Sequence, residues 1–203
     1  MEIGVIKFAV IVICFMLSLS ALINKDFVLP GRDGILLVLA MAATVLADFF
    51  LVIVHGYVVG VTVFWFAHVF YALRFGGKRV LWFMPLTLVP AVIFFFFERD
   101  LLLSSSLIYA GLFVISYGSM LHAVKSKKYP APNNVLIFVG MTCFVFCDIF
   151  VALFNIGRVG VQGAAALSNF AVDAIWLFYV PAQICLALSS KGFGRSIATR
   201  LLD

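Results

Sequence analysis

Residues 34–54 read GILLVLAMAATVLADFFLVIV, and one residue of the twenty-one, Asp48, carries a charge. The run matches the ~20 apolar residues that a helix needs to cross ~30 Å of hydrocarbon. An ionisable side chain inside such a span costs ~2.5 kcal/mol or more at the helix centre, so its default reading is a functional site. A second stretch of the same character, Phe146-Cys147-Asp148-Ile149-Phe150-Val151, follows a hundred residues later.

The rest of the chain agrees with a membrane setting. Of 203 residues, 65% are hydrophobic and 11% charged, and the mean hydropathy is +1.20. A soluble domain of this length needs far more charge to cover its surface, so the class is integral membrane protein. The sequence pI of about 9.2 does not point to nucleic acid, because the basic residues fall in short loops between apolar runs. Cys14, Cys143, Cys147 and Cys185 all lie inside apolar segments. Cys143 and Cys147, four apart on one helix, suit neither a disulfide nor a closed zinc site and read as small core residues.

Seven spans can be marked, at about 3–23, 34–54, 57–75, 80–97, 101–121, 134–155 and 165–189. The first is long enough to span and carries Glu2 in its leading segment, so it reads as a transmembrane helix rather than a signal peptide. The connections carry turn punctuation: Pro30-Gly31, Gly76-Gly77, Glu98-Arg99-Asp100, and two prolines between Lys125 and Asn134. The sixth, Asn155 to Gly163, has a glycine every third residue and reads as a tight turn, since no strand precedes it as a phosphate loop would require. Gly111 and Gly118, seven apart, read as a close helix contact.

Lys and Arg counts set the topology. The loops after spans one, three and five, with the C-terminal tail, hold eleven (Lys25, Arg32, Arg74, Lys78, Arg79, Lys125, Lys127, Lys128, Lys191, Arg195 and Arg200). The other side has Arg99 and Arg158, with Lys7 inside the first span. The expectation is an all-α, polytopic helical bundle forming a single domain over 1–203, N-out and C-in. In a bacterial cell its place would be the cytoplasmic membrane. At ~1.5 Å per residue, Asp48 and Asp148 fall at one depth, ~10 Å below the outer interface, with Asp173 in a similar layer. His68, Tyr179 and Gln183 lie deeper. The two aspartate segments also look like one motif used twice. Each is followed by a span with a polar pair, His68 with Tyr71 and Gln183 with Tyr179.

Depth excludes a three-histidine zinc site. His55 ends span two on the outside and His122 ends span five on the inside, ~30 Å apart, against metal–nitrogen bonds of ~2 Å. No G-x-S-x-G elbow supports a serine nucleophile. Tyr71, Tyr109, Tyr117 and Tyr179 are individually uninformative. Two carboxylates in a low-dielectric site remain. Close carboxyl groups cannot easily both ionise, so one would serve as general acid and the other as carboxylate. That pairing suits a reaction through an oxocarbenium-like cation, as in hydrolysis of glycosides or vinyl ethers. The same residues also fit a small proton-coupled transporter or a non-catalytic lipid-binding protein. Asp148, in the more apolar sequence surroundings, is the better candidate for the acid.

The order of motifs resembles the lysoplasmalogenase (YhhN-like) family of multispanning membrane proteins. The likeness runs through Ala47 to Leu51, Phe66 to Tyr71, Tyr117-Gly118-Ser119-Met120, Gly140 to Ala152, and Tyr179 to Gln183, about residues 35–190 in all. It implies hydrolysis of the vinyl ether bond of a lysoplasmalogen, a single-chain phospholipid, to a fatty aldehyde and glycerophospho-ethanolamine or -choline. No metal or organic cofactor is implied. The family's two aspartates correspond to Asp48 and Asp148, its histidine and tyrosine to His68 and Tyr71, and its glutamine to Gln183. With Tyr117 and Tyr179, these last three would orient the glycerol and water. The family usually has glycine before the first aspartate and serine before the second, where this chain has Ala47 and Cys147. Members commonly have eight spans.

Overall fold

The computed structural model describes the backbone of residues 2–24, 26, 28, 29, 31–158 and 164–192. Seven α-helices account for nearly all of it: α1 (Glu2–Ile23), α2 (Arg32–Asp48), α3 (Tyr57–Gly76), α4 (Leu88–Glu98), α5 (Leu101–Lys125), α6 (Asn133–Arg158) and α7 (Ala164–Leu188). Among the described residues, five helical stretches are long and apolar enough to cross a membrane, Arg32–Val54, Tyr57–Trp82, Leu101–Lys125, Asn133–Phe154 and Phe170–Leu188. The apolar stretches Phe8–Ile23 and Met84–Glu98 are shorter. An integral membrane protein follows from this. Its outward faces are apolar, with Trp82, Phe96 and Phe97 among the most exposed side chains, as a surface solvated by lipid tails requires.

Two spans depart from plain α-helix. Directly after Asp48 the α2 helix widens into a π-helical turn, Phe49–Val54, and ends at His55 in left-handed conformation. The expected span 80–97 is broken. Gly77–Trp82 and Met84–Thr87 are 3₁₀ turns, with α4 only from Leu88. Pro85 and Pro90 lack the N–H that a continuous ladder would use. Helix ends follow local chemistry. Asp100 caps α5 by accepting from the amides of Leu102 and Leu103 at 2.8 and 3.0 Å. Lys128 Nζ donates to the last carbonyls of α3, Arg74 O at 2.6 Å and Phe75 O at 3.2 Å. The connection after α6 begins as helix through Arg158, and residues 159–163, where the tight turn was expected, lie outside the described residues.

The helices close a ring. α1 packs on α2 and α7, α2 on α3, α3 on α5, α5 on α6, and α6 on α7, while α4 lies outside against α5. Two glycines set close approaches within it. A Cβ on Gly60 of α3 would lie 3.2 Å from Ala47 O and 2.5 Å from Leu51 Cγ, beside the carboxylate of α2. A Cβ on Gly140 of α6 would lie 3.2 Å from Ala182 O of α7. The expected contact at Gly111 is present, against Thr87, whereas Gly118 faces open space.

At the end of the ring where α3 and α5 finish, Arg74 is a buried residue, not a loop charge as the topology count treated it. Its Nε is 3.1 Å from Asp33 Oδ2 and its Nη1 donates to Ser189 Oγ at 2.8 Å. Tyr129 donates to Asp33 Oδ1, and Asn133 holds the carbonyls of Ser189 and Lys191. The last turn of α3 folds inward because Asp33 waits at the start of α2. Burial lowers the pKa of Lys128 and raises that of Tyr129. Of the other basic residues in that count, Lys25, Arg195 and Arg200 lie outside the described residues.

Candidate active site

Five of the six ring helices send polar side chains to one place. Asp48, at the last turn of α2, is buried, and its Oδ2 accepts from the Tyr179 hydroxyl of α7 at 2.6 Å. Asp148 of α6 is partly buried, and its Oδ2 is 2.8 Å from the Tyr109 hydroxyl of α5. Each carboxyl group is therefore held by a tyrosine of another helix, the Asp48 partner lying in the opposite half of the chain. Tyr109 and Cys147 lie within electrostatic reach of both carboxyl groups, so the two aspartates share one environment. Phe144, one turn before Asp148, separates the two arms. Its ring meets His68 at 5.3 Å and Tyr179 at 5.7 Å, both edge-on.

His68 of α3 is fully buried. Its Nε2 is 3.2 Å from the Tyr109 hydroxyl and its Nδ1 is 3.1 Å from Ser116 Oγ. A chain of contacts thus runs Ser116–His68–Tyr109–Asp148. Its hydrogens can be counted, since a hydroxyl has only one to give. Ser116 donates to Phe113 O at 2.8 Å, so towards His68 it can only accept, and Nδ1 carries a hydrogen. If Nε2 is bare, Tyr109 donates to it and Asp148 must supply the hydrogen of its contact with Tyr109. If Nε2 is protonated, Tyr109 donates to an Asp148 carboxylate. Both patterns hold the same number of protons. A proton held by this chain can sit at Asp148 or at His68, with Tyr109 between them.

The remaining expected residues divide. Tyr71 is fully buried with its ring centroid 6.2 Å from that of His68, and its hydroxyl lies 3.9 Å from Met41 Sδ. Gln183 is fully buried, and neither its Oε1 nor its Nε2 has a hydrogen-bond partner among the described residues. A buried amide left in that state is costly, so the site has unused polar capacity there. Tyr117 stands aside, stacked on Phe113 with its hydroxyl 3.4 Å from Thr142. Asp173, expected in the same buried layer, is exposed. The more apolar sequence surroundings of Asp148 do not translate into deeper burial, because Asp48 is the more enclosed of the two. Tyr109 and Ser116 were not singled out from the sequence. Their seven-residue spacing does put them on one face of α5, and that was the available signal. Among the described residues no group of three or more His, Cys, Asp or Glu side chains could hold a metal ion, and His55 and His122 end their helices at opposite ends of the ring.

Fold and site together define an all-helical integral membrane protein with two enclosed carboxyl groups, one joined to a histidine–tyrosine chain and the other held by a tyrosine of α7. Its sequence matches the YhhN family over residues 4–190. The chain belongs to that family, which is the family of the lysoplasmalogenases. No curated protein and no solved structure matches it.

Proposed function

We propose that this protein is an intramembrane hydrolase that cleaves the vinyl ether bond of lysoplasmalogens. The products are a fatty aldehyde and glycerophospho-ethanolamine or -choline. The observation that carries the reading is the hydrogen-bonded Asp148–Tyr109–His68 chain together with a second, tyrosine-held carboxyl group at Asp48. Asp148 gives its proton to the vinyl β-carbon, which leaves an oxocarbenium ion at the carbon bearing the ether oxygen. The Asp48 carboxylate steadies that cation and takes a proton from the attacking water. The hemiacetal then collapses, its C–O bond to glycerol breaking as the aldehyde forms and the glycerol oxygen is protonated. Tyr109, His68 and Ser116 act as positioning residues that return a proton to Asp148. Tyr71 and Gln183, with their unused hydrogen-bonding capacity, orient the glycerol and the water. All seven helices cross the membrane in this reading, N-out and C-in, and a bacterial cell would carry the protein in its cytoplasmic membrane.

Purified protein given lysoplasmenyl-ethanolamine or -choline should release fatty aldehyde, and in D₂O the aldehyde should carry one deuterium on the carbon next to the carbonyl. Asp48→Asn and Asp148→Asn should each lose at least about 10²-fold in turnover. Absence of aldehyde with both headgroups would overturn the substrate. Activity surviving in both variants would overturn the mechanism.

A further inference from the structure

A groove of about 690 Å³ lies between the broken span Gly77–Glu98 and α5, on the far side of α5 from the carboxyl groups. Ser116 of α5 faces His68, while Ile115 and Ser119 line the groove, so the α5 backbone separates the two. The wall is mostly apolar, with Phe83, Leu86, Pro90 and Val114 along it. Its polar end holds Arg79 and His122, and among the described residues no acidic side chain lines it. From Gly111 to His122 the groove follows twelve residues of helix, a rise of about 16 Å from the first to the last and close to half of the ~30 Å hydrocarbon thickness. It therefore runs from the basic end of the bundle to mid-membrane, the depth of one leaflet.

The groove exists because the broken span touches α5 at only part of its length. Gly111 admits the Thr87 side chain, which pins the two together near mid-membrane, and toward the basic end the Gly77–Trp82 turn packs on α3 instead. A Cβ on Gly118 would meet nothing within 4 Å. An apolar wedge inside a bilayer is poorly suited to water, and hydrocarbon matches both its lining and its length. The positive Arg79 at its mouth complements a phosphate. We propose that this groove is a binding site for one anionic phospholipid, an acyl chain lying along Gly118 and the phosphate resting on Arg79 and His122. The bound lipid fills the wedge and holds the broken span against α5. This site is independent of the hydrolase reading, since none of the residues proposed for the chemistry line it.

Native mass spectrometry of the purified full chain, delipidated and titrated with phosphatidylglycerol or phosphatidylcholine, tests the assignment. Wild type should retain one phosphatidylglycerol at least tenfold more tightly than phosphatidylcholine. Gly118→Leu, which fills the groove from a position with open space, should weaken phosphatidylglycerol binding at least tenfold. Arg79→Gln should abolish the preference for phosphatidylglycerol, and Arg79→Lys should keep it. Equal affinity for the two lipids in wild type would overturn the proposal, as would unchanged binding in Gly118→Leu. A dimer that forms without lipid and is lost in Gly118→Leu would assign the groove to a second copy of the chain instead.

Discussion

Tyr109 makes two contacts with one hydroxyl, 2.8 Å to Asp148 and 3.2 Å to His68, and neither contact survives its loss. Tyr109→Phe keeps the ring, which packs edge-on to Phe64 and His68, and removes only the hydroxyl that links Asp148 to His68. Aldehyde release should fall by about 10²-fold in kcat with little change in KM. Tyr117→Phe is the matched control. Its hydroxyl makes a long, 3.4 Å contact with Thr142, and turnover should stay within about fivefold of wild type. The residue scale also shows the reach and the limit of reading the chain alone. Asp48, Asp148 and His68 announce themselves, because a titratable group in an apolar run is conspicuous wherever it points. Tyr109 does not, because a tyrosine in a span is commonplace until its hydroxyl is seen to bridge two such groups.

Between elements, the distance of α3 from α2 decides whether the site can form. Gly60 lets the two backbones approach beside Ala47, one residue before Asp48. A branched side chain there must push Leu51 and the helix itself aside. Gly60→Val should therefore destabilise the protein by about 1–3 kcal/mol, seen as a lowered midpoint in detergent-based unfolding, and should lower activity as well. Gly118→Ala should be neutral or raise stability by up to about 1 kcal/mol, since its Cβ meets open space and alanine favours helix. The two glycines are indistinguishable as letters in an apolar run. What separates them is whether a neighbouring backbone lies within reach. The π-helical turn after Asp48 was equally invisible, because Phe49–Val54 is an unbroken apolar run that suits α-helix just as well.

For the whole molecule, the ring is tied at its basic end by a buried ion pair. Arg74 and Asp33 join α3 to α2, and Ser189, Tyr129 and Asn133 extend the connection to α7 and the segment before α6. Removing one partner leaves the other buried without its counter-charge. Asp33→Leu alone should cost about 3–5 kcal/mol, whereas Asp33→Leu with Arg74→Met should recover most of that loss. Chemical unfolding of the two single variants and the double variant measures the coupling.

The amino-acid sequence by itself determined the membrane class and the positions of six of the seven apolar helices to within a few residues, and it marked two aspartates and a histidine inside apolar runs. These follow from the cost of placing a charge in hydrocarbon, and that cost depends on the local run alone. Only the tertiary structure decided that Tyr179 meets Asp48, that Tyr109 joins His68 to Asp148, that Asp173 is exposed and that Arg74 is buried. Each of these depends on the rotation of one helix against another. A uniformly apolar helix, solvated by lipid on one side and by protein on the other, carries too little contrast between its faces to reveal that rotation.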